Sequence, residues 1–360
     1  MENDLTMSEI LSFFIKEYPG LANKTGIQMR KFIYIITILI VSGSTVSNGQ
    51  DPMFTQFYAA PVYLSPSLAG ADGGTRVILN FRDQWPKLPG DYVTYALSAD
   101  HYLEKFRSGI GLLLLRDQAA GGLINTTNIG INYNYNFNIS KKWKLIPGIQ
   151  VYYYTKSINY NRLVFSDQIS RDYTTPVSIE MERLTTLKPI RHLDITSSLL
   201  AYSDRFWAGF TLDHMLSINS TLKAEGGYIP IRLSFYGGGK YFISGRMRSQ
   251  KEESITGAFN FMYQSQYKYL DLGAFYTRSP LQFGLWYRGI PIFVENPNIG
   301  ALTLQFGYKI NNITIGYSYD YTLSRLMTKT GGAHEVSFAV DLKADTRKRK
   351  MRMIPCPSIM

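Results

Sequence analysis

The chain has 360 residues, a formal net charge of +11 and a mean hydropathy of -0.12, which excludes a bundle of membrane-spanning helices. Charged residues make up only 18%, below the usual quarter or so of soluble domains, whereas aromatic residues reach 14%, with 27 Tyr and 20 Phe. So much tyrosine suits the two aromatic girdles of an outer-membrane barrel, and the single Cys356 excludes an internal disulfide framework.

An export signal is predicted at residues 29–49. A basic pair comes first, an apolar run (FIYIITILIV, Phe32–Val41) follows, and a small polar stretch ends before Gln50. This order is typical of a secretory signal peptide cut before Gln50. Residues 1–28 then lie upstream of Met29, which we take as the true start; the alternative is a genuine extension with a short amphipathic piece.

Residues 50–74 are predicted to be irregular but ordered. Pro52, Pro61 and Pro66 exclude a regular central strand, and the aromatic content excludes a solvated linker. We expect this segment to pack on or inside the following domain, as a plug or a periplasmic element.

The stretch NIGINYNYNFNI, 128–139, alternates apolar and polar residues throughout. Side chains alternate faces along a β-strand, so one face is apolar and the other is almost all asparagine. Such a polar face fits solvent in a soluble sheet or the wet interior of a membrane barrel.

The two-residue period recurs along the chain and predicts an all-β transmembrane antiparallel β-barrel over 75–343, with one face of each strand against outer-membrane lipid. Fourteen strands are predicted, an even number as in single-chain bacterial barrels. Their ranges are 75–83, 92–103, 107–116, 124–139, 142–155, 192–202, 205–214, 231–243, 252–264, 267–277, 281–289, 300–310, 312–321 and 333–343.

Short and long joints alternate between these strands, as in barrels with short periplasmic turns and longer external loops. The longest joint, 156–191, is predicted to be an external lid or contact surface. Two adjacent joints break the rule: 244–251 is long for an inner turn and 265–266 is short for an outer loop.

Three glycines at 237–239 interrupt one predicted strand, which indicates a bend or a close backbone approach. A phosphate-cradling loop is the alternative, but no Lys-Ser/Thr pair and no helix pattern follow.

The end of the chain, 344–360, is predicted to be a basic periplasmic tail. Its charge fits an acidic partner or lipid head groups, and a solvated tail is the default interpretation. Nucleic acid does not fit an exported protein. Cys356 in this tail leaves a free thiol, a lipid link or an intermolecular bond open, with an unreactive tail thiol as the default interpretation.

No catalytic, metal or cofactor site is predicted. The four histidines form neither HExxH nor a zinc spacing, and no GxSxG elbow occurs. The pairs Asp100-His101 and Asp213-His214 are expected to point to opposite faces of their strands. A barrel enzyme would draw on inward carboxylates such as Asp194, Asp213, Asp271 and Asp320, among which the sequence selects none.

Several motifs resemble the PorP/SprF family of the type IX secretion system of Bacteroidetes. They cover most of the chain after the signal: QDPMFTQFYAAPVYLSPSLAG (50–70) with Arg76, FRDQWP (81–86), SAD (98–100), GIG (109–111), DQAAGGL (117–123), GGAHEVSF (331–338) and PCP (355–357).

The resemblance implies a non-enzymatic outer-membrane protein that works with periplasmic secretion-ring proteins and lipoproteins. It implies a companion role for secretion or surface attachment of a large adhesin with a type-B C-terminal signal, as in gliding motility. Candidate partner-binding residues are Phe54, Gln56, Phe57, Tyr58, Arg82, Trp85, Lys348, Arg349 and Lys350. The alternatives are an outer-membrane porin or uptake channel, a barrel enzyme and a soluble β-sandwich.

Overall fold

The computed structural model describes residues 51–140, 142–159, 163, 189–216, 229–245, 252–265, 267–289, 299–323 and 329–342. The predicted export signal at 29–49, residues 1–28, most of the long joint 156–191 and the predicted tail lie outside this part of the chain.

One antiparallel sheet contains all the described strands. The strands are β1 Thr75–Gln84, β2 Tyr92–Leu103, β3 Ser108–Ala119, β4 Ile124–Tyr135, β5 Phe137–Asn138, β6 Lys144–Ile158, β7 Ile190–Tyr202, β8 Phe206–Asp213, β9 Arg232–Ser244, β10 Glu253–Gln264, β11 Tyr267–Arg278, β12 Leu281–Gly289, β13 Ile299–Ile310, β14 Ile313–Thr322 and β15 Ala333–Leu342. The two residues of β5 continue the pairing of β4 with β6. β4 and β5 therefore count as one strand of the barrel wall, which gives fourteen strands in the described part of the chain. These strands match the predicted ones to within three residues at every end.

The sheet closes on itself. β1 pairs with β2 on one side and with β15 on the other, from Thr75↔Leu342 to Gln84↔Ala333. Every other neighbour in the sheet is also a neighbour along the chain, and the pairing of β4 with β6 removes the remaining edge. The result is an up-and-down barrel, in which no described strand is left with an open edge.

The joints fall into two sets at opposite ends of the barrel. The set we call the short-turn end contains 104–107, 139–143, 203–205, 245–252, 279–280 and 311–312. The set we call the long-loop end contains 85–91, 120–123, 159–189, 214–231, 265–266, 290–298 and 323–332. The predicted alternation is confirmed, including the two adjacent exceptions at 245–252 and 265–266.

The alternation along β4 and β5 divides the faces as predicted. Ile131 and Tyr133 point outward, with 65% and 48% of their surfaces exposed, whereas Asn132 and Asn134 are buried. Tyr133 does not pack against a second sheet, so the β-sandwich alternative is wrong.

Large apolar side chains also cover the outward face of the other strands, among them Leu112, Leu304 and Phe283. So extensive an exposed apolar surface is far larger than soluble monomers carry, and hydrocarbon is the medium that it fits. Among the described residues, none of the helical segments has the length and apolar character needed to span a bilayer.

We expect Ile131→Arg to lower the free energy of unfolding in lipid by about 2–4 kcal/mol. Ile131 lies in the middle of its strand and faces outward, so the arginine would face the hydrocarbon of the bilayer. Ile139 is the matched control, since it is equally exposed, at 65%, but lies at the short-turn end. Ile139→Arg should cost only about 0–1 kcal/mol near the interface. Denaturant titration of the refolded barrel measures both, and equal losses would contradict a bilayer-spanning wall.

The segment before β1 contains three short helical turns. They are a 3-10 turn at Phe57–Ala59, the α-helix α1 at Pro61–Leu64 and a 3-10 turn at Pro66–Leu68. Pro61 and Pro66 stand at the first position of their turns, where a missing N–H and a fixed φ are favourable. We call Asp51–Asp72 the lumen segment, because its hydrogen bonds go to inward-facing side chains on opposite sides of the barrel.

Candidate functional site

The lumen segment runs the length of the barrel. Near the short-turn end, the Gly70 N–H donates to Asp100 Oδ2 at 2.7 Å. Four residues before the end of β7, the Ser67 and Ser198 hydroxyls lie 2.6 Å apart, and in the middle of β1 Asn80 Nδ2 donates to Ala59 O at 3.2 Å. At the long-loop end, Gln264 Nε2 donates to Asp51 Oδ2 at 3.0 Å.

Two arginines and three carboxylates, which we call the Arg82 network, bind the start of this segment. Arg82 pairs with Asp320 at 2.9 Å and with Glu335 at 3.2 Å, and Arg288 pairs with Asp271 at 2.7 Å. All five side chains are buried. They come from β1, β11, β12, β14 and β15, so the network crosses the contact at which β1 closes against β15.

Backbone groups of the lumen segment complete this network. The N–H groups of Thr55 and Gln56 donate to the two oxygens of Glu335 at 2.7 and 2.9 Å. Arg288 Nη2 donates to the Phe54 carbonyl at 3.1 Å. A carboxylate taken out of water needs such partners, so Glu335 fixes the height of the segment in the barrel.

The Gln56 side chain is held on both of its polar atoms. Its Nε2 donates to Ser318 Oγ at 3.2 Å, and its Oε1 accepts from Ser337 Oγ at 2.7 Å. Gly316 leaves room for this amide, because a Cβ there would lie 2.7 Å from Gln56 Oε1.

A second ionic cluster, the Asp51 network, lies at the long-loop end and contains Asp51, Asp194, Asp213, His214 and Arg232. His214 bonds to Asp194 through Nδ1 and to Asp51 through Nε2, each at 2.8 Å. Arg232 pairs with Asp51 at 3.1 Å and with Asp213 at closer range. The network therefore ties the first described residue of the chain to the ends of β8 and β9.

The same network corrects one sequence expectation. Asp213 and His214 were expected to point to opposite faces, yet the Tyr152 hydroxyl lies 3.0 Å from Asp213 Oδ1 and 3.0 Å from His214 Nδ1. The reason is that β8 ends at Asp213 and His214 adopts a left-handed conformation, with φ of 60°. Strict alternation holds only inside a strand, so it does not apply to His214.

Asp51, Asp213 and His214 bring ligand atoms within 4.8 Å of one another, close enough to hold a metal ion. Arg232 pairs with both of these carboxylates, however, and His214 bonds to Asp51. Since the cations already balance most of the carboxylate charge, the arrangement is a structural ion-pair cluster.

The Asp51 network gives stability a pH dependence. Burial alone lowers the pKa of His214, but the Asp51 and Asp213 carboxylates outweigh it and raise the pKa to about 10. Because the folded pKa exceeds the ordinary value of about 6.5, this stabilisation is complete below pH 6.5 and disappears as pH rises through 10.

The stability advantage of the wild type over His214→Gln should therefore shrink steadily between pH 7 and pH 10. The midpoint of heat-induced unfolding, followed by gel mobility at several pH values, measures this advantage. An advantage that stays constant up to pH 10.5 would show that His214 is neutral in the folded protein.

An aromatic cluster fills the space between the lumen segment and the wall. Tyr58 lies 4.7 Å from Phe275 and 6.0 Å from Trp286, and Phe57 lies 5.2 Å from Trp286, as centroid distances. These inward aromatic residues are buried and form one apolar core with Leu64 and others. The expected wet interior is therefore wrong for this part of the barrel.

A third ion pair closes the short-turn end. Arg76 on β1 pairs with Asp72 at 2.8 Å and with Asp100 on β2 at 3.1 Å. Asp100 also accepts from the Gly70 N–H, so these groups fix the point where the lumen segment enters β1.

The candidate partner-binding residues separate into three groups. Phe54, Gln56, Phe57, Tyr58 and Arg82 are buried and come together at the lumen segment, so that their contacts are within the chain. Trp85 lies at the long-loop end, where its N–H donates to Gly332 O at 2.8 Å. Lys348, Arg349 and Lys350 lie outside the described residues. Partner binding by all nine stays a prediction.

Residues that sequence reasoning passed over are Glu335, Arg288 and Arg232. Glu335 lies in the GGAHEVSF motif, and Arg288 stands on the polar row of its strand together with Trp286. A charged residue and a tryptophan on one inward row were the available signal that the interior is packed.

A closed barrel with an apolar outer belt, short turns at one end and long loops at the other defines an outer-membrane β-barrel protein. Residues 46–340 match the family model described as "Type IX secretion system membrane protein PorP/SprF". The chain belongs to the PorP/SprF family, and it is an outer-membrane component of type IX secretion. The long-loop end is accordingly external and the short-turn end periplasmic.

Two solved structures are among those similar to this chain. The CymD monoaromatic hydrocarbon channel is 11% identical, with a TM-score of 0.43 over 84% of this chain and 97% of that one. The P. putida toluene transporter TodX is 9% identical, with a TM-score of 0.43 over 78% of this chain and 93% of that one. No curated protein matches the sequence.

Proposed function

We propose that this protein is a non-enzymatic anchor and companion of the type IX secretion system, with no cofactor. In this role it supports secretion or surface attachment of a partner such as a large adhesin with a type-B C-terminal signal, of the gliding-motility type. Periplasmic ring proteins and lipoproteins are the proposed partners on the inner side.

The observation that carries this proposal is the packed interior. The lumen segment is held by buried hydrogen bonds and ion pairs from one end of the barrel to the other. Such packing favours a closed barrel that acts through its surfaces over a channel that acts through its pore. It also gives no support to a barrel enzyme, because the inward carboxylates Asp213, Asp271 and Asp320 are all paired with arginines.

The division of the chain follows from this role. We propose 29–49 as the export signal with Met29 as the start, 50–74 as the plug, 75–343 as the barrel and 344–360 as a basic periplasmic tail. The external joint 156–191 is the proposed contact surface for the secreted partner. Lys348, Arg349 and Lys350 are the proposed contacts of the tail with an acidic periplasmic partner.

Surface proteomics of a strain lacking this protein tests the proposal. Biotinylation of intact cells, followed by mass spectrometry, should show loss of proteins with type-B C-terminal signals, and the wild-type gene should restore them. A chain with 165–185 replaced by a Gly-Ser linker should assemble in the outer membrane but fail to restore them.

Conductance in planar bilayers distinguishes the porin alternative. The purified barrel should give no steady current, because the lumen segment occupies the pore. Steady ohmic conductance together with an unchanged surface proteome would overturn the companion role in favour of a porin or uptake channel.

A further inference from the structure

We infer that the mature amino terminus lies at the external mouth of the barrel, and that the export signal has to be removed before the barrel closes. The inference rests on the proposed signal at 29–49 and on the course of the lumen segment. It is independent of any secreted partner.

The course of the chain starts from a fixed point at the periplasmic end. Thr75, the first residue of β1, pairs with Leu342 and His101, which lie at the short-turn end of β15 and β2. The Tyr102 N–H donates to Gly74 O at 3.2 Å, so the residues just before β1 also lie there.

From Gly74 toward the amino terminus, the contacts of the lumen segment move from the periplasmic end of the barrel to the external end. Ala69 O accepts from Asn134 Nδ2 and Ser67 bonds to Ser198, which is four residues from the periplasmic end of β7 and in register with Asn134 through Gly148. Ala59 O then accepts from Asn80 Nδ2 in the middle of β1. Thr55 then bonds to Glu335, close to the external start of β15.

Asp51, the first described residue of the lumen segment, lies at the external end of the barrel. Its partners are Gln264, the last residue of β10, Arg232, the first residue of β9, and His214, which follows β8 directly. All three stand at the long-loop end. The chain before Asp51 must therefore continue from the external mouth.

The wall leaves no sideways exit for this segment. Each strand of the wall pairs with the strand on either side, including β1 with β15 and β4 with β6. The segment is thus threaded through a closed ring, and the barrel must close around a chain whose amino terminus is already free to reach the outside.

An uncut export signal is incompatible with this path. The apolar run Phe32–Val41 enters the inner membrane during export and remains on the periplasmic side if it is not removed. A chain threaded to the external mouth by Asp51 cannot carry that anchor behind it. Cleavage before Gln50 therefore has to precede closure.

Charge at the external mouth agrees with a free amino terminus. The Asp51 network contains the carboxylates of Asp51, Asp194 and Asp213 against the cations Arg232 and His214. A cut before Gln50 would create an ammonium group one residue before Asp51 in the sequence, and this group would carry the positive charge that the three carboxylates lack.

Cysteine labelling on intact cells tests the inference, with Cys356→Ser as the background. Gln50→Cys should react with a membrane-impermeant maleimide from outside. Lys87→Cys at the external end and Lys105→Cys at the periplasmic end are matched controls, since both lysines are exposed. The first control should label on intact cells and the second only after permeabilisation.

A second reporter, Gly-Ser-Cys-Ser-Gly inserted between Gln50 and Asp51, covers the case in which the thiol of the Gln50→Cys variant is shielded by its surroundings. Failure of both reporters to label intact cells, while Lys87→Cys labels, would overturn the external amino terminus.

The intact mass of the heat-resistant barrel tests whether the export signal is removed before the barrel closes. It should begin at Gln50 in every molecule, and an assembled barrel that retains 29–49 would overturn cleavage before closure.

Discussion

Gly148→Leu should displace the lumen segment from the barrel while the wall still forms. A Cβ on Gly148 would lie 2.5 Å from the Ser67 backbone nitrogen and 2.8 Å from the Pro66 carbonyl carbon, which cannot move as a flexible side chain could. Gly109→Leu should act in the same way, because its Cβ would collide with the carbonyl oxygen of Ala69. We expect each variant to convert a silent barrel into a conducting one in planar bilayers, and to make the segment sensitive to protease.

Gly257→Leu is the control for these variants. Gly257 points outward, and a Cβ there meets no atom within 4 Å. This variant should therefore assemble, remain silent and resist protease like the wild type. If Gly148→Leu also remained silent and resistant, the close approach of segment and wall would be wrong.

Arg82→Met should prevent stable assembly or lower the free energy of unfolding by about 3–5 kcal/mol, the usual cost of leaving a buried charge unpaired. The substitution removes the buried cation that Glu335 and Asp320 share, and Asp320 keeps only its longer pair with Arg288 at 3.6 Å. Denaturant titration, or the yield of heat-modifiable barrel where folding fails, measures the loss.

Arg116→Met is the matched control, since Arg116 is exposed on the outward face of β3. It should cost less than about 1 kcal/mol. The double variant Arg82→Met/Glu335→Gln should recover part of the loss by removing the charge of Glu335, which has lost its arginine partner. Equal effects of Arg82→Met and Arg116→Met would contradict a buried Arg82 network.

The strands of the barrel wall were predictable because the alternation of apolar and polar residues is a local property of the sequence. The alternation of Ile131, Tyr133 and the asparagines between them requires an extended strand and assigns its two faces, without any information from the rest of the chain. An even number of such strands with short joints then favours an up-and-down barrel, because adjacent antiparallel strands need only short connections.

Long-range contacts explain what the sequence left open. Arg82 and Glu335 are separated by most of the chain, and they meet only because β1 closes against β15. The sequence marked both residues as parts of motifs but did not show that they bind each other. In the same way, the prolines at 52, 61 and 66 excluded a strand but did not reveal the path of the segment.

The polar rows misled the sequence interpretation at one point. Trp207 and Trp286 alternate with outward apolar residues, so they fall on the inward face with the polar side chains. Both are buried against the aromatic cluster in the lumen. A tryptophan on the supposedly wet face is the signal that something packs against it, and here that partner is the lumen segment.

A covalent link between segment and wall tests most directly that this outer-membrane barrel is filled by its own amino-terminal chain. The hydroxyls of Ser67 and Ser198 lie 2.6 Å apart, so the double variant Ser67→Cys/Ser198→Cys, in the Cys356→Ser background, brings two thiols within bonding reach. We predict that the assembled barrel forms this disulfide in the outer membrane, seen as a reducible shift in gel mobility and confirmed by mass spectrometry of the linked peptides. A barrel that assembles fully with both thiols free under oxidising conditions would contradict the account.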